Sequence, residues 1–400
     1  MKILQICFRM PFPPKDGGAI AMNNISSGLL KKGCKLTLLV PLTPKHKPAL
    51  DELPDDWNEK VRIITKEINT SITFMGAFLN LFSPKPYYVS RYEDKSFRKV
   101  LEELLINENF DLILVESIKM SMYADSIRKY SKAPLVLRSH NIEYLIWKRV
   151  AATSPLGLKK LYLQILARKL RKYEKIWSQK YDALLAITDV DAAYFSANQY
   201  NKKIHITPSG IMFDDMKKKD VVMEENSIFH LGALDWLPNL EGIDWFLKDV
   251  WPQIHAAFPK LKFYIAGRNT PAHIQNLKKK NVVVVGEVDD AMYFMQSKQI
   301  MIVPLLSGSG MRIKVAEGMA WGKVIISTGI GAEGIPYTDG KDILIANTAT
   351  DFKRQLEAVL HDSNLAASIS HEAMKTARKK LDNNHIIDDL MKFCRHLQKG

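Results

Sequence analysis

The stretch that decides the fold spans residues 300–322 and reads IMIVPLLSGSGMRIKVAEGMAWG. It begins with an apolar run, passes through a loop of serine and glycine, and continues with a helical pattern. A strand, a tight loop and a helix in this order are typical of an α/β sheet. Free backbone N–H groups and the helix dipole then point at the loop and favour an anion there.

The first helical turn after this loop carries two cations, Arg312 and Lys314, where positive charge is unfavourable for the helix itself. A bound diphosphate would neutralise both. Glu317 follows one turn later and could accept hydrogen bonds from two vicinal ribose hydroxyls. With Gly310 and Met311 of the loop, these residues form the predicted nucleotide site.

The whole chain repeats this alternation of apolar runs and helical segments, which predicts parallel sheets covered on both faces. We expect a first domain over residues 1–207, a second over 208–385, and a C-terminal helix over 386–400 that could pack back on the first domain. Strands are predicted at 2–8, 35–41, 61–68, 111–116, 134–139, 182–188 and 203–207, then at 227–231, 261–266, 282–285, 300–304 and 324–327. In the second half, each strand is expected to be followed by a helix. Helices are also expected at 19–32, 97–107, 119–131 and 189–198.

Other loops that follow predicted strands supply further candidates, because ligands of open α/β sheets bind beyond the carboxyl ends of the strands. Gly17-Gly18 begins a helix after the first strand, and His140 follows the strand at 134–139. In the second half, the candidates are Gly232, Arg268 and Glu333. Each has a structural alternative, such as a turn glycine, a packed histidine or a cap.

Composition limits the class of protein. The 400 residues contain 46% hydrophobic and 25% charged residues, which suits two globular domains, and the formal net charge is +14. Nucleic-acid motifs are lacking, so an anionic lipid or a phosphorylated substrate is a better partner, and a solubility charge remains an alternative. Three scattered cysteines fit a reducing compartment, and we find neither a signal-peptide core nor a long apolar run. We expect a cytoplasmic protein, at most peripheral at the inner face of the membrane.

The segment Leu158–Lys180 reads as a long helix with eight Lys/Arg and one acid, Glu174. Its apolar residues recur at helical spacing. Such a helix can lie on an anionic membrane surface, or it can be an ordinary surface helix with solvated lysines.

Taken together, Gly17-Gly18, Ser139-His140-Asn141, the segment from Phe229 to Gly232, Ile265-Ala266-Gly267-Arg268 and the run from Gly310 to Gly322 resemble the retaining glycosyltransferases of family 4. The resemblance implies a GT-B fold, with two Rossmann-like domains facing a central cleft. It implies transfer of a sugar from a nucleoside-diphosphate sugar, with no metal and no other cofactor. The acceptor would be a glycan or a lipid-linked glycan in polysaccharide biosynthesis.

The resemblance also assigns roles to residues. The family's Glu-x7-Glu motif places its second, ribose-binding Glu on Glu317, while its first falls on Ser309. The family's diphosphate-binding Arg/Lys pair has no counterpart at 233–241, so we expect Arg312 and Lys314 to replace it. Its glycine-rich loop maps to Gly17-Gly18, and its sugar-contacting histidine maps to His140. Glu317 and His140 are therefore the predicted catalytic residues.

Three other classes compete with this reading. A two-domain dehydrogenase should show Gly-x-Gly-x-x-Gly after a strand, which we do not find. A nucleotide-sugar epimerase would need inward-facing groups that move a proton, a task that would fall to Glu333 or His140. A non-catalytic scaffold for glycan assembly would explain Ser309 but not the intact Arg312, Lys314 and Glu317.

Overall fold

The computed structural model describes residues 1–14, 16–44, 53, 57, 60–217 and 220–398. Within them the chain forms two units, each with its own hydrophobic core. Unit 1 comprises Met1–Gly210 and Asn383–Gly400, and unit 2 comprises Ile211–Asp382. The chain thus divides close to residue 207, and the returning C-terminal segment begins at Asn383.

Unit 1 contains a parallel sheet whose inner strands are buried almost throughout, as expected for a sheet covered on both faces, while its two edge strands are mostly half-buried or exposed. The order of its strands is β3-β2-β1-β4-β5-β6-β7. The strands are β1 Lys2–Ile6, β2 Lys35–Leu42, β3 Val61–Glu67, β4 Leu112–Glu116, β5 Leu135–Ser139, β6 Ala183–Ala186 and β7 Lys203–Ile206.

The helices of unit 1 connect these strands. The predicted helix at 119–131 is a 3-10 helix over Ile118–Tyr123 followed by a short α-helix. Three others lie where the sequence predicted no helix, at residues 74–80, 87–90 and 143–153. The helices are α1 Gly17–Lys31, α2 Phe74–Asn80, α3 Tyr87–Ser90, α4 Lys95–Asn107, α5 Ala124–Tyr130, α6 Glu143–Thr153, α7 Leu158–Ser178 and α8 Asp189–Ala197.

Unit 2 has a second parallel sheet of the same plan, with the order β10-β9-β8-β11-β12-β13. The predicted strands are present, and the two-residue edge strand β13 is an addition. The prediction that a helix follows each strand is wrong for β12, because a turn leads from it directly to β13. The strands are β8 Glu224–Leu231, β9 Lys262–Ala266, β10 Val282–Gly286, β11 Lys298–Val303, β12 Val324–Ser327 and β13 Leu344–Ile345.

The helices of unit 2 cover both faces of this sheet. A π-helical segment, Phe246–Val250, joins the first two and buries Phe246 in the core. The helices are α9 Leu237–Trp245, α10 Trp251–Ala257, α11 Ala272–Gln275, α12 Ala291–Gln296, α13 Ile313–Ala320, α14 Ala349–His361 and α15 Ser363–Lys380.

The last helix, α16 Asn383–Gln398, returns to unit 1 and packs on α1. The contact needs Gly28, because a Cβ there would lie 2.3 Å from Cγ1 of Ile387. Asn383 Nδ2 donates to the Asn24 carbonyl oxygen at 2.9 Å, and Asn24 Nδ2 donates to the Gly210 carbonyl oxygen at 2.7 Å. These bonds join the beginning and the end of unit 1.

A close approach of two loops in unit 2 gives a test of the packing. A Cβ on Gly267, after β9, would lie 1.8 Å from the carbonyl oxygen of Gly232, after β8. Neither backbone can move without disturbing the parallel pair. We expect Gly267→Ala to lower the stability of unit 2 by about 3 kcal/mol, as overpacking of backbone does.

Urea unfolding followed by tryptophan fluorescence, to which the buried Trp251 of unit 2 contributes, measures this loss. Gly329→Ala is the matched control, since its Cβ would meet only Asn347 Oδ1, at 3.6 Å. Equal midpoints for both variants would contradict the packing described here.

Candidate functional site

Each sheet has one topological switch point. The second and third strands of the sheet lie on one side of its first strand, and the fourth and later strands lie on the other side. In unit 1 this point lies between β1 and β4, and in unit 2 between β8 and β11. Ligands of open α/β sheets bind beyond the carboxyl ends of the strands at such points. The loops that follow these four strands, and the neighbouring β5, contain most of the predicted site residues.

In unit 1, the helix start at Gly17-Gly18 is occupied by a carboxylate of the chain itself. Asp16 caps α1 and accepts from the N–H groups of Gly18 at 3.1 Å and Ala19 at 3.2 Å. Arg9 forms a two-bond ion pair with the same carboxylate, with Nη1–Oδ2 at 2.6 Å. A Cβ on Gly18 would collide with the Arg9 guanidinium at 2.3 Å. Gly18 therefore makes room for Arg9, which the sequence prediction missed.

His140, the predicted catalytic histidine of unit 1, belongs to a buried polar network at the ends of β4 and β5. Its Nε2 lies 2.5 Å from Oε2 of Glu116, and because a carboxylate only accepts, Nε2 carries the proton. Glu116 Oε1 accepts from Gln5 Nε2 at 2.8 Å. Arg138 Nη1 lies 3.4 Å from Glu116 Oε2 and donates to the Ala21 carbonyl oxygen at 2.9 Å.

The charges in this network follow from burial and pairing. Burial works to raise the pKa of Glu116, but the Arg138 guanidinium and the His140 hydrogen bond outweigh it and hold the pKa below its usual value. Burial lowers the pKa of His140 in spite of Glu116. At neutral pH the network therefore holds an ionised Glu116, a charged Arg138 and a neutral His140.

Two more buried carboxyl groups, those of Glu143 and Glu174, lie at the start of α6. Glu174, the one acid of α7, accepts from the Glu143 N–H at 2.7 Å and the Tyr144 N–H at 3.4 Å. It caps α6 across the fold. Burial raises the pKa of both Glu174 and Glu143. Both carboxyl groups are buried in unit 1, and the role of Glu174 as the cap of α6 is structural.

In unit 2, the serine-glycine loop after β11 folds around Arg312. Gly308 and Gly310 adopt positive φ angles of 119° and 78°, which glycine tolerates. Arg312 Nη1 donates to the carbonyl oxygens of Ser309 at 2.5 Å and Gly310 at 2.6 Å. Arg312 is the N-cap residue of α13, not part of its first turn. It shapes the loop that precedes the helix.

Lys314 and Glu317 lie on the first two turns of α13 and form an ion pair, with Nζ–Oε2 at 2.6 Å. Glu317 is buried and Lys314 is half-buried. The pair lies directly after the loop that contains Gly310 and Met311, so the structure brings five predicted residues together at one end of α13.

The carboxyl ends of β8 and β9 adjoin this switch point and hold Gly232 and Arg268. A Cβ on Gly232 would meet Asn239 Nδ2 at 2.8 Å and His230 Nε2 at 3.1 Å. Glu333 lies in the turn after β12 and is half-buried. Its role remains a prediction.

His230 is a buried group that the site prediction omitted. Its Nδ1 lies 3.2 Å from the Ile302 carbonyl oxygen, so Nδ1 carries the proton. Among the described residues, Nε2 finds no hydrogen-bond partner, and burial lowers the pKa of His230 to about 4. A histidine inside a strand pattern gives no sign that its ring turns toward Gly232.

Asp189 and Asp191 are two acidic residues separated by one position, and carboxylate oxygens are ligands that Mg²⁺ prefers. They lie in the first turn of α8, where Asp191 Oδ2 accepts from the Thr188 hydroxyl at 2.8 Å and completes a helix cap. In the part of the chain that the structure describes, no group of three or more His, Cys, Asp or Glu side chains is placed to hold a metal ion.

Two family models match the chain along most of its length. The model described as Glycosyltransferase Family 4 matches residues 15–214, and the model described as Glycosyl transferases group 1 matches residues 225–362. The chain is a family 4 glycosyltransferase. The expectation that the chain belongs to family 4 is thereby confirmed.

Individual relatives are distant but extend over the full length. The glycosyltransferase is 23% identical to an uncharacterized 44.6 kDa protein in the cps region of Klebsiella pneumoniae, covering 98% of this chain and 99% of the relative. Its fold is similar to that of sucrose-phosphate synthase from Thermosynechococcus elongatus, with a TM-score of 0.73, 14% identity and 99% of each chain covered. It is also similar to Anabaena HepE in complex with UDP, with a TM-score of 0.65, 14% identity, and 99% of this chain and 100% of HepE covered. The GT-B fold is confirmed.

None of the helices in the described part of the glycosyltransferase combines the length and the apolar content that crossing a bilayer requires.

The lowered pKa of His230 predicts that the stability of the glycosyltransferase depends on pH. Unfolding returns its pKa from about 4 to an ordinary value near 6.5, so the unfolded state binds the proton first as the pH falls. Its neutral, buried form therefore contributes stability that is complete above pH ~6.5 and is lost between pH ~6.5 and ~4, by about 3 kcal/mol.

Urea unfolding at a series of pH values checks this, with His230→Asn as the comparison. Asn can still donate to the Ile302 carbonyl oxygen but does not titrate. The variant should lose less stability between these pH values than the wild type. Parallel profiles would show that His230 is not the group responsible.

Proposed function

We propose that this glycosyltransferase moves a sugar from a nucleoside-diphosphate sugar to an acceptor hydroxyl, with retention of the anomeric configuration. Its role would lie in the assembly of a surface polysaccharide or glycolipid. The fold it shares with HepE, which was solved with UDP, supports a nucleotide donor. The relative in the cps region supports polysaccharide assembly.

The observation that supports a nucleotide donor most is the grouping around the start of α13. There a glycine-rich loop, a helix N-terminus and the Lys314–Glu317 pair meet at the switch point of the sheet. The helix N-terminus and Lys314 offer positive charge to a diphosphate. Glu317, held by Lys314, offers carboxylate oxygens to the two ribose hydroxyls.

We further propose that Arg312 contributes through the loop as well as through its charge. Its hydrogen bonds to the Ser309 and Gly310 carbonyl oxygens fix the path of the backbone whose N–H groups would face the phosphates. Ser309 occupies the position of the family's first motif Glu, so the hexose is held by other groups. Gly232, Arg268, Met311 and Glu333 are the candidates.

In the proposed reaction, the bond between the anomeric carbon and the diphosphate oxygen breaks, and the acceptor oxygen bonds to the same face of that carbon. The acceptor proton passes to the departing diphosphate. This front-face course needs no protein nucleophile. The α13 dipole and Lys314 would stabilise the charge that develops on the leaving group, so that no metal and no other cofactor takes part.

In unit 1, we propose that His140 contacts a sugar hydroxyl and that Glu116 orients its ring through the 2.5 Å hydrogen bond. Neutral His140 would act as a hydrogen-bonding group. The helix start at Gly17-Gly18 would receive a substrate group only if the Asp16 carboxylate yields the N–H groups it now accepts from.

Glu317→Gln should weaken UDP binding by about 2–4 kcal/mol, since a charged, buried acceptor of two hydroxyls is replaced by a neutral one. Transfer should fall at least in proportion. Isothermal titration with UDP and GDP, followed by a screen of nucleotide sugars for hydrolysis, measures both effects.

Glu357→Gln is the matched control, because Glu357 also pairs with a lysine on a helix of unit 2, α14. It should bind the nucleotide like the wild type. Unchanged UDP binding by the Glu317→Gln variant would show that Glu317 does not contact the ribose.

Lys314→Ala should weaken the binding of UDP more than that of uridine, since its charge is proposed to act on the diphosphate. A loss of about tenfold for the nucleotide and little for the nucleoside is expected. Arg312→Ala should show the same preference and also lower the thermal midpoint, because the loop loses two hydrogen bonds.

Lys353→Ala, which breaks a comparable helical ion pair on α14, serves as the control. An equal loss for nucleoside and nucleotide in Lys314→Ala would mean that this lysine contacts something other than phosphate.

A further inference from the structure

A short helix of unit 1, α2, is apolar in sequence and yet lies open to solvent. It reads FMGAFLN, and every one of its residues is exposed or half-buried. Phe74 is 87% exposed, and the flanking Phe82 and Ile72 are 80% and 75% exposed. Large apolar side chains grouped in this way mark an interaction surface.

The neighbouring helix α7 continues this surface. Its N-terminal half exposes Leu158 and Leu161, while its opposite face is buried in unit 1. We call the whole set the apolar patch. It consists of Ile72, Phe74, Met75, Phe78, Leu79, Phe82, Leu158 and Leu161.

Specific contacts hold α2 along α7. Lys169 Nζ donates to the carbonyl oxygens of Asn80 at 2.6 Å, Leu81 at 2.9 Å and Ser83 at 2.8 Å, and so caps the end of α2. At the other end, the Tyr87 hydroxyl accepts from the Thr73 N–H at 3.1 Å. Burial raises the pKa of Tyr162 on α7, and the nearby Tyr87 raises it further. The apolar side chains of α2 are therefore fixed beside α7.

A basic stripe extends the exposed face of α7 beyond Leu161. Arg168, Lys172 and Lys175 follow it at spacings of seven, eleven and fourteen residues, which place them on one side of a helix. All three are exposed. Lys169 differs from them, because its Nζ donates to carbonyl oxygens at the end of α2.

The segments that form the apolar patch are free of acidic residues. Residues 68–92 and 144–173 contain neither Asp nor Glu, whereas they include Lys148, Arg149, Lys159 and Lys160. Lys85 is a further cation of these segments, and it pairs with Glu93 at 2.6 Å. Glu174, the nearest acid along α7, is buried as the cap of α6. Exposed aromatic and aliphatic side chains bordered by basic residues match the interface of an anionic bilayer.

We propose that the apolar patch and the basic stripe dock unit 1 on an anionic lipid bilayer, with Phe74 and Phe82 entering the interface. A second copy of the chain is a poorer occupant, since two basic borders would face each other and repel. The proposal does not depend on the nucleotide donor, so it can fail while the proposed function stands.

Vesicle flotation of the full chain tests this, with phosphatidylcholine vesicles that contain or lack phosphatidylglycerol. We expect wild type to float only with the anionic vesicles and to be released at 1 M salt, where the Debye length is about 3 Å. Phe74→Ser with Phe82→Ser should lower partitioning by about tenfold or more. Arg168→Gln with Lys172→Gln and Lys175→Gln should lower it by about a hundredfold.

Two matched controls separate docking from general charge and apolarity. Ile106→Ser with Val222→Ser removes exposed apolar side chains elsewhere, and Lys35→Gln with Lys60→Gln and Lys203→Gln removes three exposed cations beside the amino ends of β2, β3 and β7. Both controls should float like the wild type. The thermal midpoint of each variant shows whether it is folded.

Equal flotation of patch and control variants, or failure of the folded wild type to float, would overturn the proposal. Light scattering measures the oligomeric state and so tests self-association as the alternative. A wild-type dimer that becomes a monomer in the Phe74→Ser, Phe82→Ser variant, without vesicle binding, would assign the apolar patch to self-association instead.

Discussion

The order of parallel strands is the constraint on which both proposed sites depend. In each sheet the chain leaves the first strand in one direction, returns, and continues on the other side, so no connection covers the end of the first and fourth strands. The loops there must turn tightly because neighbouring backbones converge. Gly267 meets the Gly232 carbonyl oxygen, and Gly242 meets the Pro304 carbonyl oxygen. Small residues therefore lie where the proposed ligand would also need room.

The two switch points are chemically different. In unit 1, Glu116, Arg138 and Gln5 are fully buried and bonded to one another, so that His140 is held by a network that burial makes rigid. In unit 2, the charged groups Lys314 and Glu317 pair on the helix that begins at the loop. The first arrangement suits the orientation of one ring. The second would let Lys314 exchange its ion pair for a contact with an anion, and Glu317 exchange it for contacts with hydroxyl groups.

Sequence predicted the strands and the loop before α13 because both depend on local pattern. Apolar runs mark buried parallel strands, and Ser-Gly-Ser-Gly can only be a turn. What it missed depends on distant partners. The cap of α6 comes from Glu174 on another helix, and the exposed α2 has no polar face by which to recognise a surface helix. Arg9 and Asp16 pair only once the loop between them has folded. His230 and Glu116 read as ordinary strand residues, since a strand pattern does not tell which polar group finds a partner.

The bonds among Asn24, Gly210 and Asn383 bear on how the chain is made. Because α16 completes the surface of α1, unit 1 lacks part of its packing until α16 has left the ribosome. Unit 2, which lies between the two parts of unit 1 in sequence, has all its strands before that moment. The order of synthesis therefore favours early completion of the second unit and late closure of the first. The space beside Gly28 that receives Ile387 stays open until α16 has been made.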